Sequence, residues 1–197
     1  MDGVFMKKTV KFAVGILLIV CLWFVAGFVR DHQSLTKNLV RLHVVANSDS
    51  EFDQNVKLEV KDKIASYLSE NMEEIQTVED AKAYILESLQ NLEHLAKETL
   101  KQHGLTQAVE VTFEEECFDK RVYDTFSLPS GVYQSLRISL GQGEGKNWWC
   151  VVFPSLCLPA TTAEFQDAAV SSGFHEDLTA TLMEEDGYEI RFFFLDY

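Results

Sequence analysis

Hydrophobic and polar positions divide the chain into three regimes. From Phe12 to Val29 every position is apolar or glycine, 18 residues without a charge. Such a run predicts a helix about 27 Å long, close to the hydrocarbon thickness of a bilayer. A second regime opens at Leu39-Val40-Arg41-Leu42-His43-Val44-Val45-Ala46, whose β-branched residues predict a strand. Asn47-Ser48-Asp49-Ser50 then supplies capping residues, and the period changes. Val56, Val60, Ile64, Tyr67, Leu68 and Met72 share one face of a helix. Thr77-Val78-Glu79-Asp80 resembles a capping box and opens a second helix striped by Ala81, Ile85, Leu89, Leu92, Ala96 and Leu100. Gly104 suits the residue just past its end.

In the third regime the period is two. Val109, Val111 and Phe113 alternate with Glu110, Thr112 and Glu114, the pattern of a half-buried strand. Leu128-Pro129-Ser130-Gly131 predicts a turn, and Val132 to Leu140 a further strand. Gly141 to Asn147 reads as a flexible hairpin loop leading into Trp148-Trp149-Cys150-Val151-Val152-Phe153, a strand stopped by Pro154. Beyond it, 164–182 suggests a weak helix and 188–195 a last strand. The expected fold class is α+β: a mostly antiparallel sheet with two long helices packed on one face, preceded by an N-terminal transmembrane or signal helix.

Charge adds a direction to this plan. The formal net charge is -14, yet residues 1–30 carry +3 and the remainder -17. Lys7, Lys8 and Lys11 precede the apolar run, while Arg30 is offset by Asp31. The positive-inside bias then holds the N-terminus in the cytoplasm and sends the rest across the membrane. Residues 1–30 are expected to be a signal peptide or signal-anchor, 31–38 a polar linker, and 39–197 an exported domain. Val25-Ala26-Gly27 offers small residues for cleavage, so both fates of the leader stay open. A surface so acidic repels phosphate backbones, which excludes nucleic acid as a partner.

Candidate chemistry is sparse. Asn47, Asp49, Glu51 and Asp53 alternate oxygen donors, but Phe52 and Leu58 stand where a calcium loop needs Gly and Glu. Helix capping is the expected role, and no metal is called for. Gly141, Gly143 and Gly145 join two strands rather than a strand and a helix, so they are not a dinucleotide fingerprint, and no cofactor or small-molecule substrate is expected. Their loop, with Glu144, Lys146 and Asn147, combines an adaptable polar tip with the aromatic anchors Trp148 and Trp149. These eight residues form the candidate partner contact. Period two sends the tryptophans to opposite faces, one to the core and one to solvent. Cys150 and Cys157 flank a turn and are a candidate disulfide in an exported domain, leaving Cys117 over. The runner-up function is an exported Cys-dependent hydrolase acting on cell wall or protein, with His43 as the attractive base. No Gly-x-Ser-x-Gly or His-Glu-x-x-His is present.

Three segments carry a family resemblance: Arg41-Leu-His-Val-Val-Ala-Asn-Ser-Asp-Ser, Leu128-Pro-Ser-Gly-Val-Tyr, and Gly141-Gln-Gly-Glu-Gly-Lys-Asn-Trp-Trp-Cys-Val-Val-Phe-Pro-Ser-Leu-Cys. Together they resemble the stage II sporulation protein R family, and the likeness covers the leader and runs from about Leu39 to Leu158. Ser155 stands where the pattern suggests a second proline. The resemblance implies a non-enzymatic signalling protein of endospore-forming bacteria, made in the forespore and exported across its membrane into the intermembrane space. It also implies a partner, the membrane-embedded aspartic protease that processes pro-sigma-E in the mother cell. No catalytic residues are implied.

Overall fold

A computed structural model describes residues 2–122 and 127–154 of the chain. The chain divides into two compact units, 1–35 and 36–197. The expected helix at 164–182 and the strand at 188–195 lie outside the described residues.

Helix α1 (Asp2–Asn38) accounts for all the described residues of the first unit. It also runs through Asp31–Asn38, where the sequence reading places a linker. Nothing between Phe28 and Asn38 is a glycine or proline, so polar composition alone does not end the helix. Phe12, Leu17, Trp23 and Phe24 are all more than half exposed. Among the described residues no helix is long and apolar enough to cross a membrane. The expected transmembrane helix is therefore not confirmed; the side chains of Phe28 and Val29, which complete the apolar run, are outside the description.

The second unit is α+β, as expected, but its sheet is mixed. Strands β1 (Val40–Val45), β2 (Val109–Phe118), β5 (Gly131–Leu140) and β6 (Asn147–Phe153) lie in the order β2-β5-β1-β6. β2 and β5 are antiparallel, as are β1 and β6, whereas β1 and β5 are parallel. β5 and β6 are consecutive but do not form the expected hairpin, because β1 lies between them. Buried along its whole length, β1 is one of the sheet's two inner strands. A two-stranded ribbon, β3 (Arg121–Val122) with β4 (Ser127–Leu128), lies between β2 and β5 in sequence.

Helices α2 (Glu51–Asn71) and α3 (Val78–Gln102) pack on one face. Val56, Val60, Ile64 and Leu68 of α2 and Ile85, Leu92 and Ala96 of α3 meet Val40, Leu42, Val44, Leu136, Ile138 and Val152 in one apolar core. Thr77 caps α3 as expected: its hydroxyl accepts from the Asp80 amide at 3.1 Å and donates to the Asp80 carboxylate at 2.7 Å. The opposite sheet face is different in kind. Period two places Arg41, His43, Glu116, Tyr133, Ser135, Arg137, Asn147 and Trp149 there.

Candidate functional site

The loop between β5 and β6 must cross the end of β1, a distance of about 10 Å at ordinary strand spacing. It therefore meets the Asn47–Ser50 turn by which the chain leaves β1 for α2. Three hydrogen bonds join the loop to that turn, and two more tie it to the flanking Ala46 and Lys57. Asn47 Oδ1 accepts from the Gln142 amide at 3.0 Å, and the Asn47 carbonyl from Glu144 N at 3.4 Å. Gly145 N donates to the Ala46 carbonyl at 2.9 Å, and Lys146 N to the Asp49 carboxylate at 2.7 Å. The buried Lys57 ammonium donates to the Lys146 carbonyl at 3.0 Å and to Gln54 Oε1 at 2.6 Å. The loop expected to be flexible is thus clamped.

Asn47-Ser48-Asp49-Ser50 serves this clamp as well as the helix start. Ser50 is the N-cap of α2, with its hydroxyl accepting from Asp53 N at 3.1 Å. Asp53 in turn accepts from the Ser48 hydroxyl at 2.5 Å and the Asn47 amide at 2.9 Å. Those bonds, Ser48 first, hold its carboxyl below the usual aspartate range. Burial pushes the Lys57 ammonium below the usual lysine value, with the Asp49 charge opposing. The sequence indicated the caps. It gave no signal for Lys57, whose carbonyl partner is 89 positions away.

Glu144, Lys146 and Asn147 are exposed at the clamped loop, and Trp148 beside them is 37% exposed. Lys61 Nζ lies 4.9 Å from the centroid of the Trp148 ring, a cation–π contact from α2. Trp149 takes the opposite face, as period two predicts, but neither tryptophan is a core residue. Trp149 is half-buried, stacked on His43 with centroids 5.5 Å apart, and Arg121 Cζ lies 3.9 Å from its centroid. The Leu128–Gly131 turn and Tyr133 stand at the other end of β5 from this loop. Seven residue steps from Tyr133 to Leu140 make roughly 23 Å of strand.

On that polar face a chain of side-chain hydrogen bonds crosses all four strands. Ser135 Oγ donates to Glu116 Oε2 at 2.8 Å, and His43 Nδ1 lies 2.9 and 3.0 Å from the two Glu116 oxygens. His43 Nε2 is 2.9 Å from Asn147 Oδ1. A carboxylate only accepts, so Nδ1 carries a proton. An amide oxygen at Nε2 makes the ring an imidazolium, whereas a turned amide offers N–H to a neutral ring. Glu116 and His43 sit on strands two spacings apart, and the small Ser135 between them leaves the room they need. Arg41, fully buried, lies over the Phe118 ring at 3.9 Å. Glu116, Ser135 and Arg41 are site residues the sequence reading missed; His43 and Glu116 are 73 positions apart and share no motif.

The geometry opposes the hydrolase reading. Cys150 points to the helix face, away from His43, and is disulfide-bonded, so it is no thiolate nucleophile. Cys157, its expected partner, lies outside the described residues; Cys21 and Cys117 are free and exposed. Ser135 is no substitute, since its hydroxyl serves Glu116 while His43 Nε2 faces Asn147. Among the described residues no group of three His, Cys, Asp or Glu side chains is placed to hold a metal ion.

The family profile described as stage II sporulation protein R matches residues 36–163, which begin where the second compact unit begins. Stage II sporulation protein R of Bacillus subtilis (strain 168) is 30% identical over 219 residues, covering 98% of this chain and 97% of that protein. The chain belongs to the stage II sporulation protein R family. The matched range of this sporulation family contains every strand of the sheet and the loop clamp. No solved structure matches.

Proposed function

We propose that the chain is an extracytoplasmic sporulation signal. It is made in the forespore, crosses that membrane N-terminus inward, and activates by contact the membrane-embedded aspartic protease that processes pro-sigma-E. Membership of the stage II sporulation protein R family over nearly the whole chain is the observation that carries this reading. The apolar helix with Lys7, Lys8 and Lys11 at its start supports export, whether it stays in the membrane or is cleaved. A helix apolar all round its circumference needs an apolar medium or a partner. The function is non-enzymatic: the disulfide-bonded Cys150, turned away from His43, supports a binding role over a reactive one.

The contact surface is the clamped loop, Gly141 to Asn147, with Trp148 as its aromatic anchor. Its backbone is fixed by the Asn47–Asp53 segment and by Lys57, so little ordering entropy is lost on docking. Trp149, turned to the His43 face, supports the surface from behind. Reporter fusions after Asp31 test the topology. An alkaline phosphatase fusion is active and a cytoplasmic reporter at the same site silent; the reverse pattern rejects export.

A further inference from the structure

The chain of hydrogen bonds across the polar face ends on the first residue of β6, which is also where the proposed contact loop ends. Asn147 is therefore a pivot. Its side chain is held by His43 Nε2 at 2.9 Å on the polar face. Its neighbour Trp148 is sent by strand alternation to the helix face. The peptide before it, Lys146, is held on its N–H by Asp49 and on its carbonyl by Lys57. Turning residue 147 about the strand axis would move the loop end and Trp148 together.

His43 is built to prevent that turn. One nitrogen is fixed by Glu116, which also takes the Ser135 hydroxyl and lies 3.8 Å from Arg137 Nη1. The ring face is fixed by the stack on Trp149, one residue beyond the Trp148 anchor. Both ring nitrogens are engaged, and the residue is 5% exposed, so the imidazole is ill placed for proton transfer to a ligand. β6 is bonded to β1 alone among the described residues, so this tie adds a constraint that reaches it from β2, at the far edge of the sheet.

We infer that His43 and Glu116 are positioning residues for the partner contact: through Asn147 they set the orientation of the Gly141–Trp148 surface. The inference rests on the reading of that loop as the contact. Asn147 is exposed, so its replacement leaves the core untouched and separates positioning from folding.

The test uses the full-length chain in detergent. Amide hydrogen exchange and thermal melting are measured for wild type, Asn147→Ala and Asn147→Asp, and pro-sigma-E processing is followed in cells. Asn147→Ala should raise exchange over 141–149 by about tenfold, the worth of one hydrogen bond, with the melt nearly unchanged. Asn147→Asp, whose carboxylate can still accept from an N–H at His43 Nε2, should restore wild-type exchange. His43→Phe, which keeps a ring on Trp149 but not the hydrogen bonds, should behave as Asn147→Ala does. Unchanged exchange in Asn147→Ala overturns the inference, as does an increase spread over the whole sheet. A local increase with full processing keeps the positioning role and rejects the loop as the contact.

Discussion

Asn47 fills the space that a side chain on Gly141 would need. A Cβ built on Gly141 would lie 2.1 Å from Asn47 Oδ1, the oxygen that receives the Gln142 amide. Two motifs that are separate in sequence, the Asn-Ser-Asp-Ser cap and the Gly-x-Gly-x-Gly loop, are therefore two halves of one contact.

The three glycines should rank by this geometry. Gly141 combines the clash with a φ of +60°, Gly145 has a clash at 2.3 Å with the Ser48 carbonyl, and Gly143 has φ +64° but no atom nearer than 3.6 Å. Gly143→Ala should cost about 1–2 kcal/mol, the price of a left-handed residue with a Cβ. Gly141→Ala should cost more, and should release the loop. Thermal melts of the three variants check the order; Gly143→Ala as the most damaging would contradict it.

Acid should loosen the same junction. The Asp53 carboxyl is held below its ordinary range by Ser48 and Asn47, so the folded state favours its ionised form. Its contribution is present above the unfolded aspartate pKa of about 3.9 and is lost as pH falls through the lower folded value. The stability gap between wild type and Asp53→Asn, measured in urea from pH 7 downward, should narrow below about pH 4. A gap that widens on acidification would reverse the sign argued here.

The cysteines should divide by reactivity. Cys21 and Cys117 should alkylate before reduction, Cys150 and Cys157 only after it. Closing so short a loop is worth about 2–3 kcal/mol in the chain-entropy treatment, so Cys150→Ala should lower stability by that order while processing persists. Loss of all processing in a folded Cys150→Ala protein would revive a thiol-dependent mechanism.

Much of this was legible in local pattern. The capping box at Thr77, the stripe of α3, the alternation from Val109 and the strand at Trp148 are short-range signals, and the structure has all of them. Strand order was not legible. Val132–Leu140 and Trp148–Phe153, joined by a glycine loop, have the local look of a hairpin, and only the long-range insertion of β1 separates them. Helix α1 overran its polar end because nothing there breaks a helix. The polar face was hidden for the same long-range reason. His43 reads as an isolated histidine until Glu116 and Asn147, 73 and 104 positions away, are brought to it. Arg41 and Lys57 are both buried, and nothing in their local sequence signals it.

The tryptophans should part in their effects. Trp149→Ala removes the ring between His43 and Arg121 and should cost about 2–3 kcal/mol, less than a fully buried aromatic. Trp148→Ala should stay within about 1 kcal/mol and reduce processing. Melts paired with a processing assay check this; full processing by Trp148→Ala would remove it from the contact.

On the function proposed above, the clamped loop meets and activates the sigma-E-processing protease. Glu144 and Lys146 are exposed on it, and neither side chain is part of the clamp described here. The direct measurement is the processed fraction of pro-sigma-E in sporulating cells carrying the Glu144→Ala, Lys146→Ala double variant, with its level and export verified. The variant should melt as wild type does and show a clear fall in processing. Wild-type processing by that variant would contradict it.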